Sequence, residues 1–255
     1  MKPILVGDLF APLNDELVEL LRDLEPDEWS APTVAGSWTV KDVAAHLLDT
    51  ALRRISRVKL DGPFEPNVMN AEWVAAMRRL SPRLLIELLD RYGREAAHYL
   101  ASLDPFAIAR IPVTWAGDEQ SPVWFDVARE LTERWHHQQQ IRDATKREPL
   151  YDAVYFAPVI ETFVRALPHT YRDVDAPEGT TVLLRVTHEG DGEWSLAREA
   201  SRWQLRDGPS DAVTIVTMRG DTAWRLFTRQ KVAEHVTIEG DARYGEPMLK
   251  TVAII

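Results

Sequence analysis

The chain contains no cysteine. That absence removes disulfides, thiolate metal ligands and a cysteine nucleophile together, so any thiol in its chemistry must come from outside. No apolar run approaches the ~20 residues needed to span a bilayer. The opening stretch from Met1 to Asp8 also lacks the apolar core and small-residue cleavage site of a secretory signal. The expectation is a cytoplasmic protein without a membrane partner. Positive charge is in short supply as well. Forty acidic against 30 basic side chains give a formal net charge of -10, and no Lys/Arg block gathers the cations, so a nucleic-acid partner is not expected. Missing too are a Gly-x-Ser-x-Gly elbow, a Walker loop, a Gly-x-Gly-x-x-Gly turn after a strand and a His-Glu-x-x-His zinc motif.

What is present reads first as helices. Leu13 to Leu24 carries apolar residues at helical spacing and is closed by Glu25-Pro26, and Trp29 to Trp38, with Pro32 and Gly36, is a loop. Thr39-Val40-Lys41-Asp42 matches a capping box, which predicts a helix through Ala44, Leu47, Leu48, Ala51 and Ile55 to about Lys59. After an Asp61-Gly62-Pro63 turn, a short helix is expected near Ala71 to Leu80. Ser81-Pro82 and Ser121-Pro122 each place a cap before a proline, predicting helices to about Leu103 and Thr145. Tyr151 to Leu167 reads as a further helix interrupted near Pro158. Long helices with moderate loops point to an antiparallel bundle.

Beyond Pro177 the period changes. Val182–Val186, Glu193–Leu196, Trp203–Leu205, Val213–Val216 and Val236–Ile238 are short strand-like runs punctuated by glycines. Asp221 is placed to cap a helix through Phe227, and Glu246 to Val252 reads as another helix. The fold class expected is therefore α+β. A helical bundle over residues 1–172 precedes a small α+β domain over 178–255, joined by the stretch around Asp173 to Gly179.

His46 on the second helix, with Glu133 and His137 on the Ser121-Pro122 helix, form the constellation with chemical potential. Residues four apart on a helix share a face, and an imidazole and a carboxylate at that spacing are fit to share a cation. His46 lies near the edge of its helix's apolar arc, where a side chain can reach a cleft. A second interpretation stands beside this one. Glu133 and His137 share a stripe with Asp126, Glu130 and Gln140, which a solvated acidic face explains equally well. His136 competes with His137, because its spacing from Glu133 is also permitted. His98, His169, His188 and His235 have no partners at metal spacing and read as structural or surface groups.

The segment from Trp29-Ser30-Ala31-Pro32-Thr33 through Gly36-Ser37-Trp38-Thr39-Val40-Lys41-Asp42 to His46-Leu47 resembles the opening of the DinB-like metal-binding bundle. More narrowly it is similar to the mycothiol-dependent maleylpyruvate isomerase type found in actinobacteria. The stretches Trp203–Gly208, Asp221–Arg229 and Ile238–Asp241 look like that family's C-terminal domain, which is similar to sterol-carrier folds. The resemblance implies that His46, Glu133 and His137 ligate a divalent metal of the zinc type. It also implies mycothiol as co-substrate, activated as a metal-bound thiolate that attacks a small electrophile such as maleylpyruvate, by cis–trans isomerisation or by S-transfer. Family members often carry an acidic residue three positions past the second histidine, where this chain has Gln140. They also often carry an arginine at the position of Arg229, a candidate to hold a substrate carboxylate.

Two other functions compete. A non-catalytic small-molecule carrier with a structural metal site would show ligand binding that survives metal removal. A structural or regulatory protein would carry the histidines as satisfied core groups and bind no metal.

Overall fold

The computed structural model describes residues 1–56, 65–230 and 232–254, which fall into two compact units. The expected end of the second helix near Lys59 and the Asp61-Gly62-Pro63 turn lie outside the described residues.

The helical unit comprises residues 6–103 and 133–150. Helix α1 (Phe10–Arg22) begins before the expected Leu13 and buries Phe10, Leu13, Leu17 and Leu21, a helical stripe. Helix α2 (Val40–Ser56) starts on the anticipated capping box. The Asp42 N–H donates to Thr39 Oγ1 at 3.3 Å, and the Thr39 N–H donates to Asp42 Oδ2 at 3.1 Å. Arg78 clamps the same carboxylate, from Nε to Oδ1 at 3.0 Å and from Nη2 to Oδ2 at 3.1 Å.

Helix α3 (Pro66–Met77) opens earlier than Ala71 because Pro66 presets the first helical φ and needs no amide partner there. Helix α4 (Pro82–Ala101) is capped as expected, with Ser81 Oγ accepting from the Leu84 N–H at 3.3 Å. Helix α5 runs Val123–Ala144, and its residues from Glu133 onward belong to this unit. Leu17 and Leu21 of α1, Val43, Leu47 and Leu48 of α2, Leu85 and Leu89 of α4 and Ile141 of α5 share one core. Gly93 is what lets α1 approach α4, since a Cβ there would sit 1.8 Å from Asn14 Oδ1.

The sheet unit comprises residues 1–5, 104–132 and 151–255. Ser121 does not cap α5 as the Ser-Pro signal predicted. Its hydroxyl accepts from the Val113 N–H at 2.8 Å and donates to Asp118 at 2.9 Å, and the Pro122 carbonyl opens the helix instead. Helix α6 (Ala153–Phe163) continues through Pro158 rather than breaking there. The amide missing at Pro158 costs little because Val154, four residues earlier, is exposed and its carbonyl can meet water. The break comes later, as a 3₁₀ turn over Val164–Ala166 before α7 (Leu167–Thr170).

Strands β1 (Thr181–Thr187), β2 (Gly192–Glu199), β3 (Arg202–Asp207) and β4 (Thr214–Arg219), with β5 (Thr237–Gly240) at one edge, form one sheet in the order β3-β2-β1-β4-β5. The β1–β4 pair is parallel, and the other three pairs are antiparallel. Between β4 and β5 lies helix α8 (Gly220–Phe227), which buries Ala223, Trp224 and Phe227.

Asp221 is not the N-cap that its position suggested. It sits inside α8, where its carboxylate accepts from the Tyr151 hydroxyl, from Arg225 Nε at 3.0 Å and from Trp224 Nε1 at 3.3 Å. The C-terminal helix is also shorter than expected, a turn of α9 (Ala242–Gly245) followed by a 3₁₀ segment over Glu246–Lys250. Together the helices and the mixed sheet give the α+β architecture anticipated from the change of period. Among the described residues no helix is long and apolar enough to cross a membrane.

Candidate metal centre

The capping box fixes where α2 begins and therefore which residues face inward. With Val43 and Leu47 committed to the core, His46 is carried to the same side and is 3 % exposed. From α5, Glu133 and His137 lie one turn apart on one face. His46 Nε2 is 2.9 Å from Glu133 Oε1, and His137 Nε2 is 3.2 Å from the same oxygen. One ligand atom from each of the three side chains lies within 4.8 Å of the others. Of the two adjacent histidines, His137 joins this group. His136 Nδ1 stands 3.9 Å from the other carboxylate oxygen.

Neutral imidazoles satisfy this cluster poorly. His137 Nδ1 lies 2.8 Å from Gln140 Oε1, an acceptor, so in the neutral ring Nδ1 carries the hydrogen and Nε2 presents its lone pair to a carboxylate lone pair; only a protonated ring would donate to both. His46 has the complementary problem, because its Nδ1 is buried without a hydrogen-bond partner while Nε2 faces Glu133. A cation between Nε2, Oε1 and Nε2 removes the clash of acceptors. Tetrahedral zinc at about 2.0–2.2 Å from N and O ligands would hold those atoms roughly 3.3–3.5 Å apart. The two shorter separations need to open by a few tenths of an ångström, and the widest, which lies within 4.8 Å, to close. Donor type, burial and spacing thus fit a zinc-type ion.

The electrostatics point the same way. Burial pushes the Glu133 carboxyl up, but the charge and hydrogen bond of His137, the hydrogen bond of His46 and the charge of His136 together hold it well below the usual carboxylate range. Burial lowers the His46 pKa, and the hydrogen bond that the imidazole donates to Glu133 only partly restores it. An ionised Glu133 beside a His46 that burial biases toward its neutral state is the form that binds a metal. Glu133 retains 29 % side-chain exposure, so the cluster keeps one open side.

Trp38 forms a wall. The Thr33 N–H and Thr33 Oγ1 both donate to the Trp38 carbonyl, at 3.0 and 2.8 Å, fixing the loop that delivers the indole. Its ring lies 5.0 Å from that of His46 and 6.3 Å from that of His137. Asp49, one turn beyond His46, is buried and ion-paired with Arg53 at 3.1 Å, and burial raises its carboxyl above the ordinary value.

The solvated-face interpretation of α5 is overturned. Asp126, Glu130, His137 and Gln140 are all buried, because the stripe opposite Val127, Leu131 and Trp135 is covered too. Gln140 supplies the acceptor for His137 Nδ1. Sequence reading missed Trp38 and Asp49. Asp49 was findable from its helical spacing to His46, whereas Trp38 stood within the segment that carried the resemblance but had no spacing that marked it as a wall of the site. Arg229 belongs to the sheet unit, where it is exposed and lines a cavity, while the three candidate ligands belong to the helical unit. Of the remaining histidines, His98, His188 and His235 are exposed.

Residues 10–142 match the family model for the mycothiol maleylpyruvate isomerase N-terminal domain. Among solved structures the chain is similar to a mycothiol-dependent maleylpyruvate isomerase, with a TM-score of 0.59 at 13% identity over 93% of each chain. A histidine-to-alanine mutant of mycothiol-dependent maleylpyruvate isomerase superposes with a TM-score of 0.56 at the same identity and coverage. At such identity the likeness is one of fold. A search of curated proteins by sequence gives no match.

Proposed function

The chain belongs to the mycothiol maleylpyruvate isomerase N-terminal domain family, and from that premise we propose that it is an enzyme that uses a low-molecular-weight thiol, mycothiol, to isomerise or capture a small electrophile such as maleylpyruvate. The observation that carries this reading is the convergence of His46 Nε2, Glu133 Oε1 and His137 Nε2 on one partly open point.

A divalent cation of the zinc type held there would supply Lewis acidity that lowers the pKa of an incoming thiol toward neutrality. The protein's own residues do the rest. Gln140 sets the tautomer of His137, so that its lone pair faces the site. Glu133 brings one negative charge against two neutral imidazoles, leaving a dication site with net positive charge that attracts a thiolate. The Trp38 indole keeps water from one side. With no cysteine in the chain, no internal thiolate competes for the position.

The thiolate adds to one carbon of a conjugated alkene, and the former double bond becomes a single bond about which the adduct rotates. Expulsion of the thiolate then restores the alkene in the trans geometry and regenerates the thiol. With a substrate carrying a leaving group, the same attack ends in S-transfer. Arg229 is the candidate on the sheet unit for holding a substrate carboxylate. A reduced thiol pool places this chemistry in the cytoplasm.

The reading is tested with purified protein, zinc, mycothiol and maleylpyruvate, following formation of the trans isomer, and with an alkylating electrophile to detect S-transfer. Turnover that requires mycothiol and is lost in a folded Glu133→Gln variant is expected. Turnover without thiol would overturn the reading, as would ligand binding without any turnover, the behaviour of a carrier.

A further inference from the structure

We propose that Arg53 completes the thiol site from within the helical unit, donating to the carbonyl or carboxylate oxygen that a cysteine-derived thiol carries close to its sulfur. This rests on the thiol reading above, and adds to it the part of the co-substrate that the protein grips.

Helix α2 carries Arg53 on the same stripe as His46. Seven residues on, a helix has made close to two full turns, so the two side chains share one face. Long side chains on a helix lean back toward its N-terminus. Arg53 does so, with Nε 3.1 Å from Asp49 Oδ2, one turn closer to His46. Asp49 is itself one turn from His46, a rise of about 4.5 Å along the axis. The Arg53 charge is felt at the ligand imidazole, where it is one of the influences that lower the His46 pKa.

The guanidinium is aligned but under-used. Its Nε is buried, yet the N–H is not directed at Asp49 and makes no hydrogen bond. Among the described residues the one hydrogen bond from Arg53 goes to Asn70 Oδ1 on α3, from Nη2 at a long 3.3 Å. Arginine holds its N–H donors in a rigid plane, so most of them stay available to another acceptor. Neutralising buried Asp49 accounts for the nearby positive charge but not for this geometry, since that role alone would turn the Nε–H onto the carboxylate. Arg53 also keeps 30 % side-chain exposure, much as Glu133 keeps 29 %, so a ligand can reach both.

The spacing fits one class of ligand. In a cysteinyl thiol the carbonyl is separated from sulfur by Cβ and Cα alone. With sulfur at the point shared by His46, Glu133 and His137, that oxygen extends one helical turn along α2, to the level of the guanidinium. A thiol lacking the oxygen displaces water from these donors without replacing its hydrogen bonds, and is disfavoured.

The test is visible titration of the cobalt-loaded chain, in which a bound thiolate gives a sulfur-to-cobalt charge-transfer band. The probes are mercaptopropionamide, which keeps the cysteinyl spacing, and butanethiol, which lacks the oxygen. The ratio of their affinities is expected to fall at least about tenfold in Arg53→Gln, with butanethiol affinity unchanged, because a hydrogen bond from a charged donor is lost. Asn70→Asp is the second variant. It replaces a half-buried residue by one of nearly equal size and supplies a carboxylate that takes up the guanidinium, so it should lower the ratio even where Arg53→Gln does not fold. A wild-type ratio in either folded variant would overturn the proposal, because the oxygen would then be held by something other than Arg53. Equal loss of both thiols would overturn it too, since Arg53 would then only shape the metal site. No charge-transfer band with either thiol would overturn the thiol reading itself, and this proposal with it.

Discussion

Replacing Gln140 by leucine should weaken zinc binding without unfolding the apo-protein. Gln140 Oε1 accepts from His137 Nδ1 at 2.8 Å. His137 and Gln140 are 8 % and 7 % exposed, so water cannot readily take the place of the lost acceptor. Leucine keeps most of the side-chain volume but leaves a buried N–H unsatisfied and frees the ring to rotate or change tautomer. Removal of such an orienting partner typically costs about 10- to 100-fold in metal affinity, or ~1.4–2.8 kcal/mol. Gln140→Glu should move the other way, because a carboxylate makes the imidazole a stronger donor to the metal. The assay is competition against a fluorescent zinc chelator at fixed pH and ionic strength, with urea unfolding of each apo-protein run in parallel. Wild-type affinity in a folded Gln140→Leu protein would refute the reasoning, since it would mean that the His137 orientation does not matter to the ion.

Three further outcomes follow from the same structure. His46 and Glu133 both have pKa values depressed by folding, so the unfolded chain binds more protons at each, and acid should destabilise the metal-free protein. The His46 contribution fades as pH drops below the ordinary imidazole value of about 6.5, and that of Glu133 fades below the ordinary carboxylate value of about 4.3. A urea midpoint that stays level across both ranges would contradict this. Asp42→Ala should cost about 1–2 kcal/mol by removing the buried carboxylate that accepts from the Thr39 N–H at the start of α2, and Arg78→Ala should cost less because the arginine is largely exposed. Equal losses in urea unfolding would point to the ion pair instead. Arg229→Gly should stabilise the fold by about 0.5–1 kcal/mol by relieving the left-handed arginine, and a lower thermal midpoint would count against the strain.

Local signals carried most of the fold into view. The Thr39/Asp42 box and Ser81-Pro82 marked true helix starts because each cap is satisfied within three residues. Ser121-Pro122 and Asp221 misled because their oxygens were claimed by partners distant in sequence or along the helix, Val113 for the first and Tyr151 and Arg225 for the second. No local pattern reports that competition. The same limit governed the candidate site. Helical spacing could pair Glu133 with His137, yet the hydrophobic period of α5 could not tell a solvated stripe from a buried polar one, because a helix covered on both sides hides charged residues as well as apolar ones. Only the packed structure shows His46 arriving at the same oxygen, and the Gln140 contact follows from that packing.

The direct measurement for the central claim is zinc content by elemental analysis of protein purified without a histidine tag and without chelator, for wild type, His46→Ala and Glu133→Gln. About one ion per chain in the wild type, and markedly less in both folded variants, is the predicted result. Wild-type protein that stays metal-free after incubation with zinc, or variants that retain a full complement, would contradict a metal centre on His46, Glu133 and His137.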